Sequence, residues 1–375
     1  MKYFLRPWVG LVSLLSLGAG CGGNGSGSSA TASSSGGGGT PTSTSSSGAG
    51  GASSSSGSTS SSGATTSSSA TTSSSSSGGA AVPDPNVPGP YSYAEIDDTI
   101  DVAASGDDSV PIHCGYPTAG PTAGPYPVVI VAHGLSLPAS EYYGYVQRLA
   151  SFGYVALTVD FPSSPLSVNN PAEAQDLLAG LEWAKTNATV AAKADTDHAG
   201  MTGHSLGGKV ALLAATMDAR VKAALLLDPV DGGATGCAAP ACVEVAALLP
   251  SLHIPTGFLG ETTDSTGGTF GMPCAPAADN FTTFYAKTNA PSLQVTVLGA
   301  DHMAFLDDVA TCGVLCSLCT AGTASNAQVN GLAHAYVAAF YERWLRGDTA
   351  YDTYLTGAEA QARYVTTSEA TITSK

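Results

Sequence analysis

The chain has 375 residues, and its 29 acidic against 13 basic side chains leave a net charge of −16 at pH 7. Nucleic-acid binding needs a basic face to meet phosphates, so this balance excludes nucleic acid as a partner. The stretch from Pro83 to Gly347, about 265 residues, is long enough for one large domain with a substantial core.

Residues 1–20 read as an export signal. Lys2 and Arg6 supply the positive start and Trp8 to Leu17 a short apolar core, too short to span a membrane as a mature helix. Gly18, Ala19 and Gly20 lead into Cys21 in a pattern that looks like a bacterial lipoprotein cleavage box, although leucine usually stands where Gly18 does. The expectation is an exported protein held at the cell envelope by a lipid on Cys21, with plain secretion as the alternative. Without Lys2 and Arg6 the mature chain has 11 basic against 29 acidic residues, a net of −18. Residues 21–82 consist almost entirely of Ser, Gly, Thr and Ala, with no charged or aromatic residue. Such a segment cannot bury enough apolar surface to offset its ordering entropy, so it reads as a tether. Pro83, Pro85, Pro88 and Pro90 mark the start of the domain, 83–347, and a polar tail, 348–375, is expected to lie at its periphery.

Within the domain, short apolar runs alternate with helical patterns, which predicts an α/β fold with a mostly parallel central sheet. Weak strands are expected at Ile100–Ala103 and Val110–Cys114. The tandem Thr118–Pro121 and Thr122–Pro125 reads as a surface turn. Val128–Ala132 is an apolar, β-branched strand ending in His133-Gly134. A helix is expected over Ala139–Ser151, a strand over Tyr154–Val159, and a helix from Pro171 through Trp183. His198–Thr202 lead into Gly203-His204-Ser205-Leu206-Gly207, which fits the Gly-x-Ser-x-Gly nucleophile elbow. With 45 glycines the pattern can arise by accident. Its context argues otherwise, because Val210, Leu213, Ala214 and Met217 recur with helical spacing just after it. Further strands are expected at Val221–Leu227, Ile254–Leu259 and Leu293–Leu298, and a last helix over Asn330–Arg346.

A serine hydroxyl is a poor nucleophile near neutral pH and needs an adjacent base, itself oriented by an acid. Ser205, Asp228 and His302 each follow a predicted strand, where reactive residues gather in open α/β sheets. His302, in the loop after the last strand, is the candidate base. His204 points away from the serine in an elbow and reads as a packing residue, and His133 as a shaper of its loop. His113, His198, His253 and His334 have structural readings. For the acid, Asp228 leads, with Asp264, Asp231 and Glu261 as alternatives. Two backbone donors, the N–H groups of Leu206 and Leu135, are the candidate oxyanion hole. No phosphate loop, dinucleotide fingerprint or zinc-protease motif is present, so the chemistry is expected to need no cofactor and no metal.

Besides Cys21, seven cysteines remain: Cys114, Cys237, Cys242, Cys274, Cys312, Cys316 and Cys319. In an exported protein these favour disulfides, with Cys237–Cys242 and a link from Cys274 to the Cys312–Cys319 cluster among the options. The spacing of Cys312, Cys316 and Cys319 also has the look of a metal site, but no second paired-cysteine element supports it.

The order of segments resembles the α/β-hydrolase family. Several stretches look more narrowly like chlorophyllases and their bacterial relatives: His133-Gly134, the elbow running into Gly208-Lys209, Leu227-Asp228-Pro229-Val230-Asp231-Gly232, Pro273-Cys274-Ala275-Pro276, and His302-Met303. The resemblance implies Asp228 as the acid and hydrolysis of carboxylic esters. The chain departs from plant chlorophyllases in carrying Leu206 where they usually have arginine. The scaffold also resembles cutinase-like polyester hydrolases and platelet-activating-factor acetylhydrolases. Against a serine esterase acting on a small or polymeric ester stands a reading from another class, a silent binding module on a hydrolase scaffold.

Overall fold

The computed structural model describes residues 82–232, 238–268, 272–314 and 316–375. The residues of the expected export signal, the expected lipid site at Cys21, nearly all of the expected tether and Cys237, on which its pairing with Cys242 rests, lie outside the described residues.

The chain opens with a long antiparallel hairpin, β1 (Ser92–Val102) and β2 (Asp107–Ala119), turned at Gly106 with a φ of +89°. Both strands run well beyond the short segments expected, because β1 is an edge strand whose side chains mostly face solvent and so lack an apolar signature. The parallel part follows: β3 (Tyr126–Ala132), β4 (Val155–Val159), β5 (Ala194–His204), β6 (Val221–Leu227), β7 (Thr256–Gly260) and β8 (Ser292–Val297). Helix α1 (Tyr143–Ser151) is preceded by a 3-10 turn at Ala139–Tyr142, so the helix expected from Ala139 tightens in its first turn. Between the later strands lie α2 (Asn170–Thr186), α3 (Leu206–Met217) and α4 (Phe281–Lys287), and after β8 comes α5 (Asn326–Trp344).

Local chemistry sets the helix starts. The Asn169 side chain caps α2 with proline in its first turn, Asn280 caps α4, and Ser325 caps α5 a turn earlier than the apolar pattern alone suggested. Helix α3 has no side-chain cap, because the hydroxyl of Ser205 at its N-cap position is turned to His302.

With a last strand β9 (Ala370–Ser374), the nine strands among the described residues lie in the order β1-β2-β4-β3-β5-β6-β7-β8-β9, antiparallel at β1/β2, β2/β4 and β8/β9 and parallel elsewhere. Alternation along each strand divides the core into two layers. Val128, Ile130 and Ala132 of β3 pack on the side of α2 and α3, while Val129 and Val131 face α1 and α5.

The segment 348–375 is a correction to the sequence reading. It is part of the domain, with Tyr351, Leu355, Tyr364 and Ala370 buried against the α5 layer and β9 (Ala370–Ser374) paired with β8. Its polar composition misled because β9 is an edge strand that turns only Ala370 and Ile372 inward.

Two disulfides join described residues, Cys274–Cys319 and Cys312–Cys316, so the sulfurs of the spacing considered for a metal are paired with one another or with Cys274. Cys114 on β2 is a free thiol, wholly buried, which pushes it above the ordinary thiol range.

Candidate active site

Because β5, β6 and β8 are parallel, the residues that follow them emerge on the same side of the sheet. Ser205 comes directly after β5, with a φ of +55° and ψ of −122°. The two elbow glycines make that turn possible. A side chain at Gly203 would strike the Gly207 carbonyl, and one at Gly207 would strike the carbonyl oxygens of Ala132 and His133. The Ser205 carbonyl accepts from the N–H groups of Gly208 and Lys209, fastening the first turn of α3.

His302 Nε2 lies 2.8 Å from Ser205 Oγ, and His302 Nδ1 lies 2.6 Å from Asp228 Oδ2. Asp228, directly after β6, is fully buried and has a φ of +41°; its N–H donates to the Leu259 carbonyl of β7. Burial works to lower the proton affinity of His302, but the hydrogen bond and charge of Asp228 outweigh it and hold the imidazole above its ordinary range. Burial also raises the Asp228 carboxyl, against the pull of His302.

The alternative acids are all engaged elsewhere. Asp264 is fully buried, with Oδ2 accepting from the backbone N–H of His302 at 2.8 Å and Oδ1 from that of Thr320 at 2.6 Å. Asp231 accepts from the N–H groups of Val245 and Ala246 and lies 3.6 Å from Lys209 Nζ. Glu261 accepts from the N–H groups of Thr263 and Asp264. Among the described residues, Asp228 is the carboxylate bonded to the His302 ring.

His204 does point away from Ser205, and it ties two loops together. Its Nε2 lies 2.8 Å from the His302 carbonyl and its Nδ1 2.8 Å from Tyr142 Oη, which in turn accepts from the Gly134 N–H at 3.1 Å. Burial and the neighbouring His302 keep His204 neutral, so the pattern assigns a donating Nε2–H and a Tyr142 hydroxyl that donates to Nδ1. His133 shapes its loop as expected, stacked on Phe161 with its two ring nitrogens 2.9 and 3.1 Å from the carbonyl oxygens of Gly134 and Phe161, of which a neutral ring donates to one. Tyr142 and the Asp264 clamp were not singled out from sequence. The one available signal for Asp264 was its place just after β7, and it suggested a different role.

The Leu206 and Leu135 N–H groups make no hydrogen bond to the described residues, and both residues line a cleft of about 260 Å³ together with Ser205. Since α3 lacks a side-chain cap, its first N–H groups remain available to an anion. Val168, Val230, Pro273 and Pro276 complete most of the apolar wall. Lys209 is buried beneath, its ammonium on the Asp231 carbonyl at 2.7 Å.

A largely parallel sheet that delivers a serine, an aspartate and a histidine from three strand ends into one hydrogen-bonded relay has the architecture of the α/β-hydrolases. Within that class the chain belongs to the Chlorophyllase family, whose model matches residues 93–365. It is 26% identical over 262 residues to Chlorophyllase-1 of Arabidopsis thaliana, an alignment covering 64% of this chain and 78% of the relative. Chlorophyllase-2 of the same plant is 28% identical over 209 residues, or 49% of this chain and 62% of the relative. A bis(hydroxyethyl) terephthalate hydrolase of Streptomyces coelicolor is 31% identical over 142 residues, or 38% of this chain and 44% of the relative.

Proposed function

We propose that this protein is a serine hydrolase that cleaves carboxylic esters through an acyl-enzyme. The observation that carries the reading is the relay from Ser205 Oγ to His302 Nε2 at 2.8 Å and from His302 Nδ1 to Asp228 at 2.6 Å. His302 takes the Ser205 proton as Oγ attacks the ester carbonyl, and the oxyanion lies against the N–H groups of Leu206 and Leu135. His302 then gives its proton to the departing alcohol oxygen. Water, deprotonated by the same imidazole, attacks the acyl-enzyme and releases the acid.

Relatives named for chlorophyll and for a terephthalate diester support ester substrates. The cleft volume of about 260 Å³ suits an acyl group of about one ring, since a cavity of about 150 Å³ holds benzene. A bulkier portion of the substrate would extend outside. Cutinase-like and platelet-activating-factor-acetylhydrolase-like substrates are the alternatives within the class. The free oxyanion donors speak against a silent binding module, which would have no use for them. The test is labelling by a fluorophosphonate together with hydrolysis of a panel of neutral esters. Both are expected in the wild type and absent from Ser205→Ala. A folded wild type that neither labels nor hydrolyses any ester would sink the reading.

We also propose that Cys21 carries a lipid that holds the enzyme at the cell envelope, a reading supported by the charged start, short apolar core and small residues before that cysteine. Cys21→Ser is expected to move activity from the membrane to the soluble exported fraction. Wild-type protein already soluble outside the cell, with its amino terminus downstream of Cys21, would leave plain secretion.

A further inference from the structure

Three buried carboxyls crowd the strand ends behind His302: Asp228 after β6, and Glu261 and Asp264 in the loop after β7. Four of their six oxygens have donors. Both oxygens of Asp264 accept backbone N–H bonds, Asp228 Oδ2 meets the His302 ring, and Glu261 Oε2 accepts from the N–H groups of Thr263 and Asp264. The other two, Asp228 Oδ1 and Glu261 Oε1, are buried without a hydrogen-bond partner. A buried acceptor without a donor is costly, and two buried carboxylates side by side are costlier still.

A single proton relieves both conditions. We propose that Glu261 is a positioning residue for the catalytic aspartate, holding a proton on Oε1 and donating it to the free oxygen of Asp228. The strands set the two residues side by side: Leu227 and Leu259 are register partners in β6 and β7, the Asp228 N–H bonds to the Leu259 carbonyl, two residues before Glu261, and the Glu261 backbone N–H lies against the Asp228 carboxylate. Glu261 is only 3% exposed, so no solvent competes for that proton. Burial, then the charge of Asp228, push the Glu261 carboxyl up to about 7. The groups that face it are Asp228 from the β6 end, Asp264 from its own loop and His302 from the loop after β8, with His204 beyond His302 at the end of β5.

The consequence is a second ionisation in the pH profile. Below neutrality Glu261 is a neutral donor that fixes the Asp228 carboxylate toward His302. When it loses its proton, a second buried negative charge favours the imidazolium and delays release of the free base. Glu261→Gln keeps the shape and can still offer an N–H to Asp228, but cannot ionise.

The proposal rests on the Ser205–His302–Asp228 reading, and the test separates the two. For wild type and Glu261→Gln, kcat/KM for a neutral ester is followed against pH, and infrared spectra of both proteins are compared at pH 6. The expected results are an active Glu261→Gln enzyme whose rising limb lies about one unit lower, the size set by one nearby buried charge, and the loss of one carboxylic-acid carbonyl band present in the wild type. A superimposable limb, or an unchanged band, overturns the proposal while leaving a Ser205-dependent enzyme in place. Ester hydrolysis that survives Ser205→Ala would instead overturn the triad. Should Glu261→Gln not fold, Asp228→Asn is examined at pH 6. It is expected to shift the same carbonyl band, since the acceptor changes from carboxylate to amide, and an unshifted band overturns the proposal.

Discussion

The backbone N–H of His302 donates to Asp264 at 2.8 Å while its ring turns to Asp228 at 2.6 Å, so two aspartates from neighbouring strand ends hold two different parts of one histidine. Asp228 orients and stabilises the imidazole; Asp264 fixes the loop that carries it. Asp228→Asn is therefore expected to lower kcat about ten-thousand-fold, against about a million-fold for Ser205→Ala or His302→Ala. Asp264→Asn keeps an acceptor for one N–H but loses one charge-assisted bond of about 1.5–3 kcal/mol, a loss of roughly ten- to a hundred-fold. A larger loss in Asp264→Asn than in Asp228→Asn, measured on the same ester, would reverse the assignment.

A directional chain of hydrogen bonds, from Gly134 through Tyr142 and His204 to the carbonyl of His302, couples the loop of Leu135, a proposed oxyanion donor, to the loop of His302, the proposed base. Tyr142→Phe removes the hydroxyl at its centre and leaves the Gly134 N–H and His204 Nδ1 buried without partners. Each such group costs about 1–3 kcal/mol. The expected outcome is a fall in kcat of roughly ten-fold or more with KM little changed, together with a lower melting temperature. An unchanged kcat would mean that the two loops hold their places without the relay.

The Cys274–Cys319 disulfide ties a residue of the cleft wall to the neighbour of Thr320, whose N–H is clamped by Asp264. It spans a sequence separation of 45, for which cross-linking stabilises a fold by about 2–4 kcal/mol. Replacing both cysteines by serine should lower the melting temperature by roughly 5–10 °C. Activity should fall below the melting transition, because the clamp loosens first. Melting curves and rates that match the wild type would show that the loop needs no cross-link.

Asp176 on α2 is buried, with Oδ1 accepting from Ser105 Oγ at 2.5 Å and its carboxyl set against that of Asp107. Burial, opposed by the Ser105 bond and reinforced by the charge of Asp107, raises its carboxyl from 3.8 to about 7. The folded chain thus holds a proton that the unfolded chain releases nearer 4. This contribution to stability is full below the ordinary carboxyl value and is lost as pH rises through about 7. Asp176→Asn, which cannot ionise, should melt close to the wild type near pH 4 and above it at pH 8. Parallel melting curves across that range would remove Asp176 as the source.

Much of the fold was legible because burial on both faces writes continuous apolar runs. Val128–Ala132 and Val221–Leu227 read as strands for that reason, and both are wholly or almost wholly buried. The elbow was legible because its backbone tolerates little besides glycine at 203 and 207. The edge strands β1 and β9 were read short or missed, since an edge strand with one wet face carries only a weak alternation, and β2 was read short where it runs on beyond β4 to pair with β1 alone. The carboxylates were the hardest. Asp228, Asp231, Glu261 and Asp264 all follow strands, and sequence cannot tell a carboxylate that meets an imidazole from one that meets a backbone N–H.

The last strand, β9, runs antiparallel to β8 from Leu293/Ser374 to Val297/Ala370, and beyond that register Ser292 and Lys375 exchange two backbone hydrogen bonds of 2.9 Å. It therefore acts as a selvedge for the sheet. A chain cut after Gly347 would bare the hydrogen-bonding edge of β8 and uncover the α5 face on which Tyr351, Leu355 and Tyr364 pack, Tyr336 included, offering every copy a template on which to pair with the next. Such a truncation, harmless to judge from the polar composition of the segment, should yield insoluble aggregates even though every residue of the reactive cleft is retained.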